Sequence, residues 1–267
     1  MLKTQKDSCL NVRWGVRISE LSIPFPLSSS RLPNAIATTE DFEFAALAEA
    51  RNYRETLVRE FRRFIKGEVI EVGAGIGQVT ELLGKLPEVS RLLAVEPDPG
   101  FFEKHLTLFP HHDVLAGTID DVKRESAWNA IVSVNVLEHI EHDAEELAKY
   151  RSLLAQQNGH LCLFVPARPE IYAPIDKDFG HFRRYTRDEM RRKMEQAGFE
   201  IVRLDYFNAV GYLAWWLNFC VLRKRHFEVG KVMAYDRFIF PLMHWCESRI
   251  MRPPIGQSLL VVGRAKE

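Results

Sequence analysis

Apolar positions along the chain switch repeatedly between two periods. Ala46, Ala50, Tyr53, Leu57, Phe61 and Phe64 recur at steps of three and four, which predicts a helix from Thr39 to the break at Gly67. The period then shortens. Glu68–Val72 is a compact apolar run ending in a glycine turn, after which Val79, Leu82 and Leu83 return to helical spacing. Residues 91–96 predict a second strand. Asp98 then offers an N-cap with Pro99 at the first helical position, and Phe102, Leu106 and Phe109 form the apolar face.

The alternation continues with strands predicted at 112–117, 129–134 and 159–165. Asp143 and Glu146 read as a capping box for a helix whose face is Leu147, Tyr150 and Leu154. Thr186 and Glu189 read as another, with Tyr185 and Met190 as its staple and Gly198 just past the helix end. Strands at 200–207 and 258–264 complete the set. Apolar strands alternating with helices predict an α/β fold with a doubly wound, seven-stranded sheet buried on both faces. Residues 1–38 lack this pattern and read as an irregular arm, so the expected domain is 39–267 with an N-terminal helix and a helical insertion at 208–257.

Composition narrows the class. With 267 residues, 36 basic and 36 acidic side chains, the chain has no net charge, which disfavours bulk nucleic-acid binding. The four cysteines, Cys9, Cys162, Cys220 and Cys246, form no C-x-x-C pair and fit a reducing, cytoplasmic setting. The first 20 residues contain no continuous apolar stretch of the secretory type. The longest apolar stretch, 206–222, carries Asn208, Gly211 and Asn218, is short for a membrane span, and reads as buried or interfacial.

The turn after the first strand reads Glu71-Val72-Gly73-Ala74-Gly75-Ile76-Gly77. Its alternate glycines let the backbone turn sharply and approach a ligand. The helix behind it offers unpaired N–H groups. A pyrophosphate-binding G-x-G-x-x-G would place its third glycine one residue later. Glu71 would repel a pyrophosphate and welcome an ammonium group. Glu96 ends the next strand, where a carboxylate can accept hydrogen bonds from both hydroxyls of a ribose.

E-x-G-x-G-x-G after the first strand, with the acidic strand end in AVEPDP, resembles the class I S-adenosylmethionine-dependent methyltransferases. NVLEHIEHD at 135–143 is similar to the branch that includes the quinone-biosynthesis enzymes. The resemblance covers about residues 50–205 and implies a Rossmann-like methyltransferase sheet and S-adenosyl-L-methionine as cofactor. It also implies cofactor contacts from Glu71, Gly73, Ala74, Gly75 and Gly77, from Glu96 and Pro97, and from Asn135 and Val136. Where the family often has an adenine-binding Asp, this chain has Thr118; Ile119 would flank the ring, with Asp120 or Asp121 as substitutes. The competing classes are an NAD-dependent oxidoreductase or epimerase, which the glycine spacing opposes, and a noncatalytic cofactor-binding scaffold.

The acceptor side is less defined. A hydroxyl acceptor benefits from a general base beyond the strand C-termini. His139 follows the fourth strand there, as base or as a helix-start histidine bonded to backbone. The 173–186 segment crowds Asp176, Asp178, His181, Arg183, Arg184 and Tyr185 together. His181 and Asp178 are further catalytic candidates, and Arg183, Arg184 and Tyr185 candidate acceptor-binding residues. The alternative is a salt-bridge knot ordering a long loop. D-x-x-x-G-H-x-R-R-Y-T is similar to a pattern in bacterial methyltransferases linked to cell-envelope glycans, which implies a small-molecule or glycan-type, lipid-linked acceptor. His139 and His142 supply too few ligands at metal spacing, so no metal is predicted. In the insertion, Trp215 and Trp216 beside Arg223–Lys224–Arg225 suit either a lid folded on the core or a surface at the inner face of a membrane.

Overall fold

The computed structural model describes residues 49–123, 127–250 and 252–266. The expected arm at 1–38, Cys9, and the first part of the N-terminal helix, including Ala46, lie outside the described residues. All described residues fall within the compact unit Ala37–Glu267.

Seven strands form one sheet: β1 (Gly67–Val72), β2 (Val89–Glu96), β3 (Val114–Ala116), β4 (Ala130–Val134), β5 (His160–Pro166), β6 (Phe199–Phe207) and β7 (Ser258–Ala265). Their order is β3-β2-β1-β4-β5-β7-β6. The pairs β3–β2, β2–β1, β1–β4 and β4–β5 are parallel, whereas β7 runs antiparallel to both neighbours. Helices α1 (Arg51–Phe61), α2 (Gln78–Leu83), α3 (Pro99–Leu108), α4 (Asp143–Leu154), α5 (Pro174–Asp178) and α6 (Arg187–Gln196) precede the last two strands or link the others.

Strand alternation divides the core into two layers. Ile70, Ile131, Leu161, Leu163 and Val261 face one layer with Leu147, Tyr150 and Leu154 of α4 and Met190 and Met194 of α6. Val69, Val132, Cys162, Phe164 and Leu260 face the other with Leu57 and Phe61 of α1. Glu71 therefore shares the α1 side of β1 with Val69 and reaches a different environment from Ile70 and Val72.

Local signals set several boundaries. Asp98 Oδ1 accepts from Phe101 N at 2.8 Å, with Pro99 behind it, and starts α3. Thr186 Oγ1 accepts from Glu189 N at 3.1 Å and starts α6. Two expectations need correction. The third strand is shorter than 112–117: it spans Val114–Ala116, His112 turns away to bond His105, and Gly117 gives a last N–H to Glu96 O at 3.1 Å as the chain leaves the sheet. The Asp143–Glu146 capping box does not form: His142 precedes α4 without a side-chain cap. Asp143 is instead buried, accepting from Lys193 Nζ at 2.8 Å and Tyr185 Oη at 2.9 Å and pairing with Arg183 at 3.0 Å. Two cations and a phenol from a distant segment outcompete one local amide for that carboxylate.

Between β6 and β7 the insertion is helical. α7 (Ala209–Trp215) continues as a π-helical segment, Trp216–Val221; α8 (Val229–Ala234) continues through another, Tyr235–Ile239, into α9 (Phe240–Arg249).

Candidate active site

The glycine turn closes over the C-terminal ends of β1 and β2. Gly73 and Ala74 donate backbone N–H groups to Val95 O, at 2.9 and 3.1 Å, tying the turn to β2. Gly73 has φ +69°, and a Cβ there would lie 2.3 Å from Val136 Cγ2. The absent side chain lets the loops after β1 and β4 touch. Glu96 Oε2 accepts from Gly75 N at 2.7 Å and Oε1 accepts from Asp98 N at 2.9 Å. Each carboxylate oxygen retains further acceptor capacity.

Glu71 is buried, and its Oε2 has no hydrogen-bond partner in the protein. Burial raises its pKa, to about 8; the neighbouring Thr80 hydroxyl opposes the rise and Glu96 adds to it. A buried carboxyl with an orphaned oxygen behind a glycine turn suits a cationic ligand group.

A support of the turn escaped the sequence reading. His105 on α3 is buried, with Nδ1 3.2 Å from Gly75 O and Nε2 2.9 Å from His112 Nδ1; His112 Nε2 lies 3.2 Å from Glu81 Oε2. The chain Glu81–His112–His105–Gly75 braces the turn from beneath. No motif marks it, because its members come from three separate elements.

The segment after β3 is anchored by Thr118, which caps the turn Ile119–Asp121 with Asp121 answering at Thr118 N, 2.9 Å. Ile119 is buried. Asp120 pairs with Lys149 at 2.6 Å, so both suggested substitutes already have protein partners. Pro97 is exposed at the rim. Asn135, at φ 53°, donates its N–H to Phe164 O at 2.8 Å and brings the chain out of β4 in a left-handed turn that Asn tolerates.

Beyond β4 and β5 lies a cavity of about 510 Å³. Asn135, Glu138, His181 and Arg184 line it from the sheet side. Trp215, Phe219, Phe227 and Val232 line it from the insertion, along with Asn218, Lys224 and Lys231. Phe182 N donates to Glu138 O at 2.8 Å, which clips the segment after β5 to the loop after β4 and sets His181 beside Glu138 and His139. The His139 and His181 rings meet edge-on with centroids 4.7 Å apart. His139 is exposed on the outer side of this group; the protein packed around its ring, and then His181, lower its pKa to about 4.

Asp176 is buried at the centre of the 173–186 segment. It accepts from Ala173 N at 2.8 Å and Arg184 Nε at 2.8 Å, and lies 3.1 Å from His181 Nδ1. Burial alone would raise its pKa, but the hydrogen bond from His181 and the charge of Arg184 outweigh it and the pKa falls. Arg184 also donates to Ala167 O and stacks over Trp215, 4.3 Å from the ring centroid. The segment is thus a salt-bridge knot that also presents His181 and Arg184 to the cavity.

The other candidates sit apart from the cavity lining. Tyr185 is fully buried in the core and donates to Leu137 O and Asp143. Arg183 is held by Asp143 and Glu141 O. Asp178 pairs with Arg225 of the insertion. Tyr185, Arg183 and Asp178 therefore brace the wall behind the cavity.

Residues 45–204 match the family model described as a methyltransferase domain. The chain belongs to that family. It is an S-adenosylmethionine-dependent methyltransferase. No curated protein matches it. Among solved structures, this methyltransferase is similar to a sarcosine dimethylglycine methyltransferase from Galdieria sulphuraria, at 14% identity, TM-score 0.56, and 86% and 99% coverage of the two chains. A Haloferax volcanii methyltransferase solved with the Trm112 activator gives 15% identity, TM-score 0.55, and 84% and 97% coverage. An S-adenosylmethionine-dependent methyltransferase from Clostridium acetobutylicum gives 10%, 0.53, and 84% and 97%. At these identities the likeness establishes the fold.

Proposed function

We propose that this methyltransferase transfers the methyl group to oxygen of a small glycan-type, lipid-linked acceptor that enters the cavity beneath the insertion. The observation that carries the reading is the two-sided cavity: polar Asn135, Glu138, His181 and Arg184 at the strand ends, and aromatic Trp215, Phe219 and Phe227 opposite. Such a lining suits a molecule with a hydroxylated end and an apolar end.

The cofactor supplies a methyl group activated on a sulfonium. Glu71 receives its ammonium group, which accounts for the buried Oε2 that has no hydrogen-bond partner in the protein. Gly73, Ala74, Gly75 and Gly77 let the backbone approach, Glu96 takes the ribose hydroxyls, and Pro97, Thr118 and Ile119 border the adenine. Asn135 and Val136 lie beneath the sulfonium side. His181 orients the acceptor, fixed through Nδ1 by Asp176, and His139 stands next to it as a proton acceptor held neutral at pH 7. Arg184 takes a phosphate or carboxylate on the acceptor, while Arg183, Tyr185 and Asp178 act by holding that wall.

The insertion also presents an apolar outer face. Leu213, Trp216, Leu217, Val221 and Leu222 are exposed, as are Phe238, Leu242 and Trp245. These support a peripheral contact with a membrane that supplies the acceptor. No helix of the described residues is long and apolar enough to cross a membrane.

The test is transfer of label from S-adenosylmethionine to paired acceptors: a polyprenyl-phosphate sugar, the free sugar phosphate, and a primary amine of similar size. Labelling of the polyprenyl compound at oxygen, with a much higher KM for the free sugar phosphate, is the expected result. Preferential labelling of the amine overturns the oxygen assignment.

A further inference from the structure

Glu138 and His139, adjacent in sequence, meet His181 from a distant segment at the wall of the cavity. One ligand atom each from Glu138, His139 and His181 lie within 4.8 Å of one another. We propose that these residues bind a divalent first-row cation, and that its open coordination positions take the hydroxyl oxygen of the acceptor. The inference rests on the methyl-transfer reading of the same cavity.

The donor set is the first reason. Two imidazoles and a carboxylate suit borderline cations such as Zn²⁺, Mn²⁺ or Co²⁺, and three protein ligands leave room for water or substrate. His181 is the second. Its side chain is 5% exposed, and Nε2 is buried without a hydrogen-bond partner. Nδ1 is engaged by Asp176, 3.1 Å away. A carboxylate behind one ring nitrogen, with the other nitrogen open, is the arrangement that orients a metal-binding histidine. Asp176 is itself held by Arg184 and Ala173 N, so the ring has little freedom to turn away. Glu138 is fully buried at the cavity wall, within reach of both imidazoles.

The sequence expectation was that no metal binds, because His139 and His142 alone made a poor set. His142 is not a member of the cluster; the third ligand arrives from the segment after β5 through the Phe182 N to Glu138 O clip. With a cation bound, His139 acts as a ligand in place of its role as proton acceptor: coordination lowers the pKa of an acceptor hydroxyl, whose proton then leaves to water. The oxygen forms the new C–O bond as the C–S bond of the sulfonium breaks, and that bonding pair stays on sulfur. The charges balance without an oxidant or reductant.

The experiment uses the full chain after dialysis against a chelator. Titration with ZnCl₂ or MnCl₂ alone, followed calorimetrically, is expected to show one saturable equivalent. His181→Asn and Glu138→Gln should each weaken binding at least tenfold. Asp176→Asn, which leaves the three ligands in place, should weaken it less. His111→Ala is a control at a second group, Glu81, His111 and His112, whose donor atoms also lie close together. Binding of S-adenosylhomocysteine is measured on every sample. Retained cofactor binding with lost cation binding shows that the fold and the cofactor site are intact. With Co²⁺ in place, a methyl glycoside, which offers sugar hydroxyls and no phosphate, should shift the visible absorption bands. The proposal is overturned by absence of saturable binding to wild type, by full affinity in His139→Ala/His181→Asn, or by loss of binding in His111→Ala. An unchanged Co²⁺ spectrum on adding the methyl glycoside overturns the acceptor half.

Discussion

At the residue scale, Glu71 carries the sharpest consequence. Its carboxyl has a pKa of about 8 in the ligand-free protein, so it is mostly protonated at pH 7. An ammonium group placed against it favours the charged form. Binding of S-adenosylhomocysteine at pH 7 should therefore release protons from this site. Calorimetry in buffers of different ionisation enthalpy measures the release, and Glu71→Gln should abolish its largest part. Identical release in wild type and variant would contradict the assignment. The sign also bears on stability: a raised pKa contributes stability below about 4.5 that is lost as pH rises through about 8. The residue types at the turn were legible in sequence. That Glu71 lacks a hydrogen-bond partner for Oε2 was not, because β1 alternation alone does not say what lies opposite its α1-facing side.

Among the elements, the segment 173–186 and the support under the glycine turn behave differently from isolated motifs. Arg184→Ala would leave Asp176 buried with one cationic partner fewer, at a cost of about 3–5 kcal/mol. A lower melting temperature together with slower turnover is expected, with S-adenosylhomocysteine affinity of the folded protein close to wild type. An unchanged melting temperature would mean that the knot is not structural. The brace Glu81–His112–His105 makes a pH prediction. Burial is the main cause lowering both histidines from 6.5; at His105 the neighbouring His112 adds to it, and at His112 a hydrogen bond with Glu81 opposes it. His111 also faces His112 and lowers it, while Gly75 O works against the lowering at His105. Depressed folded values mean that stability is fully present above about 6.5 and falls as the pH drops through them. His139 and His160 act with the same sign. Glu71 acts with the opposite sign over this range, so the brace is read as a difference: between pH 6.5 and about 5, His112→Asn should lose less melting temperature toward acid than wild type does. Equal slopes would remove the brace from the account.

For the whole molecule, the insertion is where sequence and tertiary structure diverge most. On a helix, Leu213, Trp216, Leu217 and Cys220 fall on one stripe; the first three are exposed, and Cys220 is half-buried with its thiol against Ile171 O. Trp215 and Phe219 instead pack with Ile171, Ile175 and Phe179 over the knot. The basic cluster is partly paired inside the protein: Lys224 with Glu228 and Arg225 with Asp178. The proposed membrane contact would therefore rest mainly on the apolar face, and flotation with anionic liposomes should then depend only weakly on salt. Trp216→Ser/Leu217→Ser should reduce flotation while turnover of a detergent-soluble acceptor persists. Absence of flotation at low salt would leave the insertion as a lid. The sequence by itself determined the strand and helix alternation, the glycine turn and the acidic end of β2, because each depends on neighbours within a few residues. Only the tertiary structure decided the contacts that close long loops. Asp236 accepts from Asn52 N and Tyr53 N, both at 2.9 Å, and so caps α1 from 184 and 183 residues away. Glu247 caps the start of α7 through Asn208 N and Ala209 N. Asp143 abandons its own helix for Lys193 and Arg183, and His181 reaches Glu138 and His139 across 43 and 42 residues. Such partners are chosen by burial, where an unpaired charge costs more than an ordered loop, and burial is not written in local spacing.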